Sequence, residues 1–174
     1  EIKKHLKKHK IKKYKIILEP VKMNTSPAIL SAALIKDIPD LQPLLFLSAD
    51  HLITNVKAFH QSILIASELS ENGKLVTFGI VPDKAETGYG YIETNFNDRD
   101  AYYSIKSFAE KPNYKNAKKY LESGNYLWNS GMFMFKASVF LDELEKFEPK
   151  ILSACKKSCT AENIDSDFIR IDYD

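Results

Sequence analysis

The stretch 44-LLFLSADHLITNVKAFHQSILIASELSENGKLVTFGIV-81 decides the fold class. It opens with four consecutive apolar residues, Leu44–Leu47, the pattern of a strand covered on both faces. From Val56 onward, Phe59, Ile63, Ala66 and Leu69 recur at helical spacing, and Asn72-Gly73 closes that helix after Glu71. Leu75–Val81 reads as a second buried strand. Strand, helix and strand of these lengths predict one right-handed crossover. The two strands should be parallel, and adjacent or nearly so, in one sheet.

Working outward, the same alternation continues in both directions. Residues 1–15 form a basic segment, expected to be helical over 2–13, and Lys15–Leu18 is a short apolar strand. Asn24-Thr25-Ser26 offers capping oxygens and Pro27 suits a first helical position, so a helix should run through 28-AILSAALIK-36 and stop before Pro39. Beyond Val81, Tyr89–Thr94 and Tyr102–Ala109 are strands around the polar turn 95-NFNDRD-100. Ala117–Leu121 belongs to a surface helix, Met132–Phe135 to a strand and Val139–Phe147 to a helix, before the acidic tail 160-TAENIDSDFIRIDYD-174. There is no internal repeat. The expectation is a single α/β domain over residues 1–174, three-layered as α/β/α around a mixed, mostly parallel sheet.

Composition excludes several classes. A hydrophobic fraction of 44% with 28% charged residues is that of a globular chain rather than a disordered one. No apolar run approaches the roughly 18 residues a membrane helix requires, and no apolar segment follows the basic opening as in a secretory signal. A cytoplasmic protein without a membrane partner is expected. The net charge of +2 hides an asymmetry, because eight of the lysines fall within residues 1–15. Without aromatic interleaving or a base-reading motif, that block is a solvated helix face and nucleic acid is not an expected partner. Cys155 and Cys159, four apart on a helix, suit neither a disulfide nor a four-ligand zinc site and should be reduced.

Chemistry-bearing residues fall into four clusters. Asp50 follows a buried strand at its carboxyl end, where α/β sheets collect ligands, and a carboxylate there suits Mg²⁺; a capping or loop aspartate would look the same. In 86-ETGYGYI-92, Gly88 and Gly90 permit close backbone approach, while Tyr89 and Tyr91 give a flat wall with hydroxyl handles. Glu110-Lys111-Pro112 sets a hydroxyl acceptor beside a phosphate-seeking ammonium. In 128-WNSGMF-133, Asn129 can both donate and accept, and Gly131 lets the backbone come close, although a packed turn has the same composition. No glycine precedes Gly73, so nothing upstream of it builds a glycine-rich phosphate cradle.

Taken as an ordered set, with 18-LEPVKMNTSPAI-29 and 76-VTFGIVPDKAETGYGYI-92, these segments resemble the mannose-1-phosphate guanylyltransferases over nearly the whole length. The resemblance implies a nucleotidyltransferase fold of the GT-A-like, Rossmann-like kind. It implies transfer of GMP from GTP to mannose 1-phosphate with Mg²⁺, releasing pyrophosphate. By it, Asp50 is a metal ligand and catalytic, and Lys111 is catalytic through the sugar phosphate. Gly88, Tyr89, Glu110, Asn129 and Gly131 form the sugar pocket, and Asn24, Thr25 and Ser26 lie near the nucleotide base. A GT-A glycosyltransferase would need Asp-x-Asp where this chain has Asp50-His51-Leu52. The family's opening Gly-Gly-x-Gly-x-Arg loop and its downstream Trp-Ser-Asp-Val-Gly segment have no match, and Lys22-Met23 stands where relatives have Gly-Arg. The expectation is therefore a central fragment. The alternative is a catalytically inactive remnant, or a split-gene subunit, that binds sugar phosphate or a partner, whether a homo-oligomer mate or a complementing chain.

Overall fold

The computed structural model describes residues 2–21, 24–34, 42–96 and 101–159. Lys22-Met23, the end of the helix expected to reach residue 36, most of the 95–100 turn and the acidic tail lie outside the described residues. In chain order the elements are α1 (Ile2–Lys8), α2 (Thr25–Ala33), β1 (Pro43–Phe46), α3 (Val56–Glu71), β2 (Val76–Ile80), β3 (Tyr91–Thr94), β4 (Ile105–Ala109), α4 (Tyr114–Ser123), β5 (Tyr126–Lys136), α5 (Ala137–Phe147) and α6 (Pro149–Ser158). They divide into two compact units, residues 1–37 with 144–174, and residues 38–143.

The first unit is helical. α1 buries no residue and ends at Lys8, short of the expected 13, as a seven-residue helix without a packed face has little to extend it. α2 is capped by Asn24, whose side chain accepts from the Thr25 N–H at 3.2 Å. Pro27 therefore occupies its third position rather than its first. Lys15–Leu18 is not a strand. An apolar stretch becomes a strand only where its backbone joins a ladder, and apolar character alone does not supply one. α2 packs on α6 through buried Ile29, Leu30, Ile151, Leu152 and Cys155. Both cysteines are free, and the Cys155 thiol is pushed up to about 12, first by burial and then by Cys159 and Glu19.

The second unit holds a five-stranded sheet organised by β5. β1, β2 and β3 all pair antiparallel with β5, and β4 pairs antiparallel with β3. The expected mostly parallel sheet is thus corrected: every pair among the described residues is antiparallel. β1 and β2 do run in the same direction, as the crossover predicted, but with β5 between them. Trp128 opposes both Ile80 and Tyr91, while Met134 opposes both Leu45 and Val76. A strand has two edges, so β2 takes one edge of β5, and β1 and β3 lie end to end along the other. β5 itself is longer than the strand expected at Met132–Phe135. Trp128–Gly131, which has the composition of a turn, continues the ladder, with Gly131 at φ 69.

Helices cover both faces. On one, Ala66 of α3 packs with Phe78, Met132 and Met134, joined by Phe59 and Ile63. The Ser70 hydroxyl donates to the Ala66 carbonyl at 2.6 Å and lies 3.0 Å from that of Met134. On the other face, Tyr91, Ala117 of α4 and Trp128 form a second cluster with Tyr120 and Tyr126. Consecutive strand residues point to opposite faces. Tyr91 packs toward α4 whereas Ile92 lines a hollow with Ile65 and Leu69 of α3, which makes this unit α/β/α. Met132→Ala should destabilise it by about 2–5 kcal/mol, whereas Leu64→Ala, at a position 71% exposed, should stay within about 0.5 kcal/mol. Urea unfolding followed by the fluorescence of the single tryptophan, Trp128, measures both.

Candidate functional site

The candidate site lies where β1 ends and β3 begins on their shared edge of β5. Phe46 opposes Phe133, so the chain leaving β1 arrives opposite Gly131 at Ser48. Tyr91 opposes Trp128, so the chain entering β3 passes opposite Asn129 at Gly90. Two contacts bear this out. A Cβ on Gly131 would lie 3.5 Å from the Ser48 hydroxyl oxygen, and the Asn129 N–H donates to the Gly90 carbonyl at 2.8 Å. Segments some forty residues apart in sequence thus meet within a few residues of one strand, at the carboxyl end of β1.

Asn129 is held in a defined orientation. Its Oδ1 accepts from the Gly131 N–H at 3.2 Å and lies 3.2 Å from the Thr77 hydroxyl, which also reaches the Met132 carbonyl at 3.0 Å. With Oδ1 turned toward these two groups, Nδ2 is the donor left to a ligand. The positive φ of Gly131 is what lets its N–H fold back onto the Asn129 side chain, a backbone state that glycine alone adopts cheaply.

Of the two glycines in this loop, Gly90 is the one that neighbouring side chains crowd. A Cβ at Gly90 would sit 2.7 Å from the Phe108 ring and 3.0 Å from Glu110 Oε2, whereas at Gly88 the nearest atom is 3.5 Å away. Glu110 is thereby brought beside the Gly90–Asn129 contact. Its other oxygen pairs with the Lys111 ammonium at 3.1 Å, both side chains being mostly exposed. Lys111 has φ 41, unusual for a residue with a side chain. Tyr89 is about half exposed and stands edge-on to Trp128, ring centres 5.3 Å apart. Asp50 and His51 lie exposed at and just after the turn that follows β1.

The loop leading to these glycines is organised by Glu86, which sequence reasoning had not singled out. One carboxylate oxygen accepts from the Thr87 and Gly88 N–H groups at 3.0 and 3.1 Å, and the other pairs with Lys84 at 3.2 Å. The Gly88 N–H first, and then Lys84, hold the Glu86 carboxyl below its ordinary value, and Glu86 raises the Lys84 ammonium in turn. The Tyr91 hydroxyl donates to the Glu86 carbonyl at 2.8 Å, tying the loop to the core. Thr77 was likewise not assigned to a site; its only advance signal was a hydroxyl in a buried strand. Asn24, Thr25 and Ser26 belong to the helical unit, where Asn24 caps α2 with φ 68. Among the described residues no cluster of three or more His, Cys, Asp or Glu side chains is placed to hold a metal ion.

The class of protein follows from the comparisons with known proteins. The nucleotidyl transferase family matches residues 1–174, and the chain belongs to that family. Among curated relatives it is 50% identical to a mannose-1-phosphate guanylyltransferase of Klebsiella pneumoniae over 163 residues, which is 91% of this chain and 35% of that protein. It is 49% identical to the mannose-1-phosphate guanylyltransferase of Escherichia coli K12 over 164 residues, 90% of this chain and 34% of that protein. The chain therefore spans about a third of the length of these relatives. Among solved structures, one described as mannose-6-phosphate isomerase from Helicobacter pylori aligns with a TM-score of 0.77 at 38% identity, over 88% of this chain and 59% of its own. Another, described as mannose-1-phosphate geranyltransferase from Thermus thermophilus, aligns with a TM-score of 0.76 at 28% identity, over 89% of this chain and 46% of its own. No helix among the described residues is long and apolar enough to cross a membrane.

Because Glu86 titrates below its ordinary 4.5 in the folded chain, the order it gives the 84–88 loop is fully present above that value. It is lost as pH falls through the lowered one. The protection of the Thr87 and Gly88 amides, measured against the intrinsic exchange rate at each pH, should therefore fall in acid, and Glu86→Gln should remove most of that pH dependence.

Proposed function

We propose that this chain carries the sugar-phosphate side of a mannose-1-phosphate guanylyltransferase site, which joins GMP from GTP to mannose 1-phosphate and releases pyrophosphate. The observation that carries the reading is the run of contacts from Ser48 to Gly131, Asn129, Gly90 and Glu110. It links segments scattered over some eighty residues, in a chain half identical to proteins of that name. Asn129 Nδ2 donates to a sugar hydroxyl, and Glu110 accepts from others through the face it turns toward Gly90. Gly88 and Gly131 let the backbone approach the sugar, and Tyr89 walls it. Lys111 exchanges its exposed pairing with Glu110 for the sugar phosphate, whose two charges outweigh one carboxylate.

The sugar phosphate is the nucleophile, so catalysis is a matter of aiming one of its oxygens in line with the α-phosphorus of GTP and offsetting charge. Asp50 fits as one protein ligand for Mg²⁺. It is an exposed carboxylate at a strand end and makes no ion pair among the described residues, and Mg²⁺ takes one or two carboxylates with phosphate oxygens and water. The ion would supply charge neutralisation at the phosphates. Asn24, Thr25 and Ser26 are assigned to the base of GTP on the resemblance to the guanylyltransferases. The setting is soluble and cytoplasmic, and the working enzyme contains polypeptide beyond these residues, in the same chain or a complementing one.

Calorimetry with mannose 1-phosphate, followed by a pyrophosphate-release assay with GTP and Mg²⁺, tests this reading. The 174-residue chain should bind the sugar phosphate yet show no appreciable turnover, because sugar binding and stabilisation at the α-phosphorus draw on different groups. Lys111→Ala should weaken binding by about 1.5 kcal/mol, the low end for a charge-assisted contact at an exposed residue. Gly90→Ala should weaken it too, by displacing Glu110, with little change in urea stability because the atoms it meets are side-chain ends. Failure of the chain to bind mannose 1-phosphate would remove the assignment.

A further inference from the structure

α1 and the turn that ends it carry His5 and His9, and the backbone closes around the pair: the His9 N–H donates to the His5 carbonyl at 3.1 Å. Residues four apart in a helical turn stand one above the other on a single face. The two imidazole rings accordingly lie with their centres 4.9 Å apart, tilted by 42°. That separation is the one a shared metal ion asks for. With metal–nitrogen bonds of about 2.05 Å and each ring centre about 1.15 Å behind its nitrogen, two imidazoles on one ion have centres about 4.5 Å apart at a right angle and about 5.2 Å apart at the tetrahedral angle. The observed distance falls between the two. Both rings are exposed and α1 buries no residue, so turning one nitrogen of each toward a common point disturbs no packing.

We propose that His5 and His9 together hold one imidazole-seeking divalent ion, of the zinc or copper class, with water in its remaining positions. Two protein ligands make a site of modest affinity rather than a structural centre, which takes four. The ion is distinct from the Mg²⁺ assigned to Asp50, because Mg²⁺ takes oxygen ligands and leaves imidazole to softer metals. Binding has a structural result. α1 is seven residues long and without a packed face, and so short a helix is marginal by itself. A bond from each of two side chains one turn apart clips that turn shut, so metal binding and helix formation support one another. The lysines set the electrostatics. Lys8 and Lys12 stand three residues beyond His5 and His9 respectively and repel a dication. Added salt should therefore tighten this site, whereas binding to scattered carboxylates loosens with salt. The inference does not rest on the chemistry proposed for the sugar phosphate, since neither histidine belongs to that site.

Zinc binding to the 174-residue chain tests it, by calorimetry with Mg²⁺ in excess and by the imidazole proton signals of the four histidines, His5, His9, His51 and His60. The first equivalent of Zn²⁺ should shift the His5 and His9 signals together and leave those of His51 and His60 in place. His5→Gln and His9→Gln should each weaken binding on the order of tenfold or more, since either leaves a single ring to hold the ion. His60→Gln should leave the affinity unchanged. Amide protection at His9 and Ile11, whose N–H groups close the end of the helix, should rise with Zn²⁺ in the parent chain and in neither variant. Both substitutions fall on exposed positions of an unpacked helix, so the variants fold as the parent does. Parent affinity in either variant would overturn the proposal. So would first-equivalent shifts at His51, an affinity that falls as sodium nitrate is raised, or binding that is lost in Cys159→Ser but kept in His5→Gln, which would make the free thiols the ligands.

Discussion

The backbone ladder of β5 is the constraint on which the sheet unit depends. Each buried peptide group needs a partner, and in this unit β1, β2 and β3 all find theirs on one strand. Because β5 has only two edges, one of them must be shared. The sharing puts the end of one strand and the start of another over a short span of β5. The gathering of these segments is therefore a by-product of crowding along a single ladder, and it inherits the rigidity of the strand beneath it. A side chain there, such as Asn129, is placed by main-chain pairing before any ligand arrives.

The groups around that span are fixed by short-range ties rather than by long charged side chains. Glu86 holds the glycine loop through two N–H groups and one ammonium, and the buried Tyr91 hydroxyl anchors the same loop from below. Thr77 and Gly131 set the Asn129 amide. Such ties reduce the ordering left to be done on binding, which is how a site on a modest scaffold gains affinity. Glu110 and Lys111 are the exception. Their mutual pairing is exposed and therefore weak enough to be exchanged for a ligand.

Local signals were legible in the sequence and long-range ones were not. α3 is found at the residues its pattern indicated, because its start at Asn55, its end at Asn72-Gly73 and its apolar stripe are all encoded within one stretch. β5 is the opposite case. Asn129-Ser130-Gly131 has turn chemistry, and only pairing with Gly79 and Gly90, fifty and about forty residues upstream, makes it a strand. The apolar runs at Leu44–Leu47 and Leu75–Val81 predict strands buried on both faces, yet β1 is only half-buried and Leu47, Leu75, Ile80 and Val81 are exposed; such runs also carry no direction for the neighbour, so an antiparallel strand between them was invisible. At the candidate site, the motif residues were identifiable as types and in order. What could not be read was which glycine a neighbour crowds, or that Thr77 reaches across to Asn129, since both depend on register.

The position of β5 in the chain has a consequence for synthesis. It is the last of these five strands to leave the ribosome, yet it is the ladder partner of β1, β2 and β3. Until Tyr126–Lys136 has emerged, only β3 and β4 can pair with each other. The nascent chain then carries two apolar segments, Pro43–Phe46 and Val76–Ile80, that must wait without forming their native hydrogen bonds. Contacts of such separation close slowly, and unpaired apolar strands are what chaperones and aggregates recognise. α3, formed early from its own local signals, lies in sequence between the waiting strands and packs on both. It is the element able to shelter them until β5 arrives.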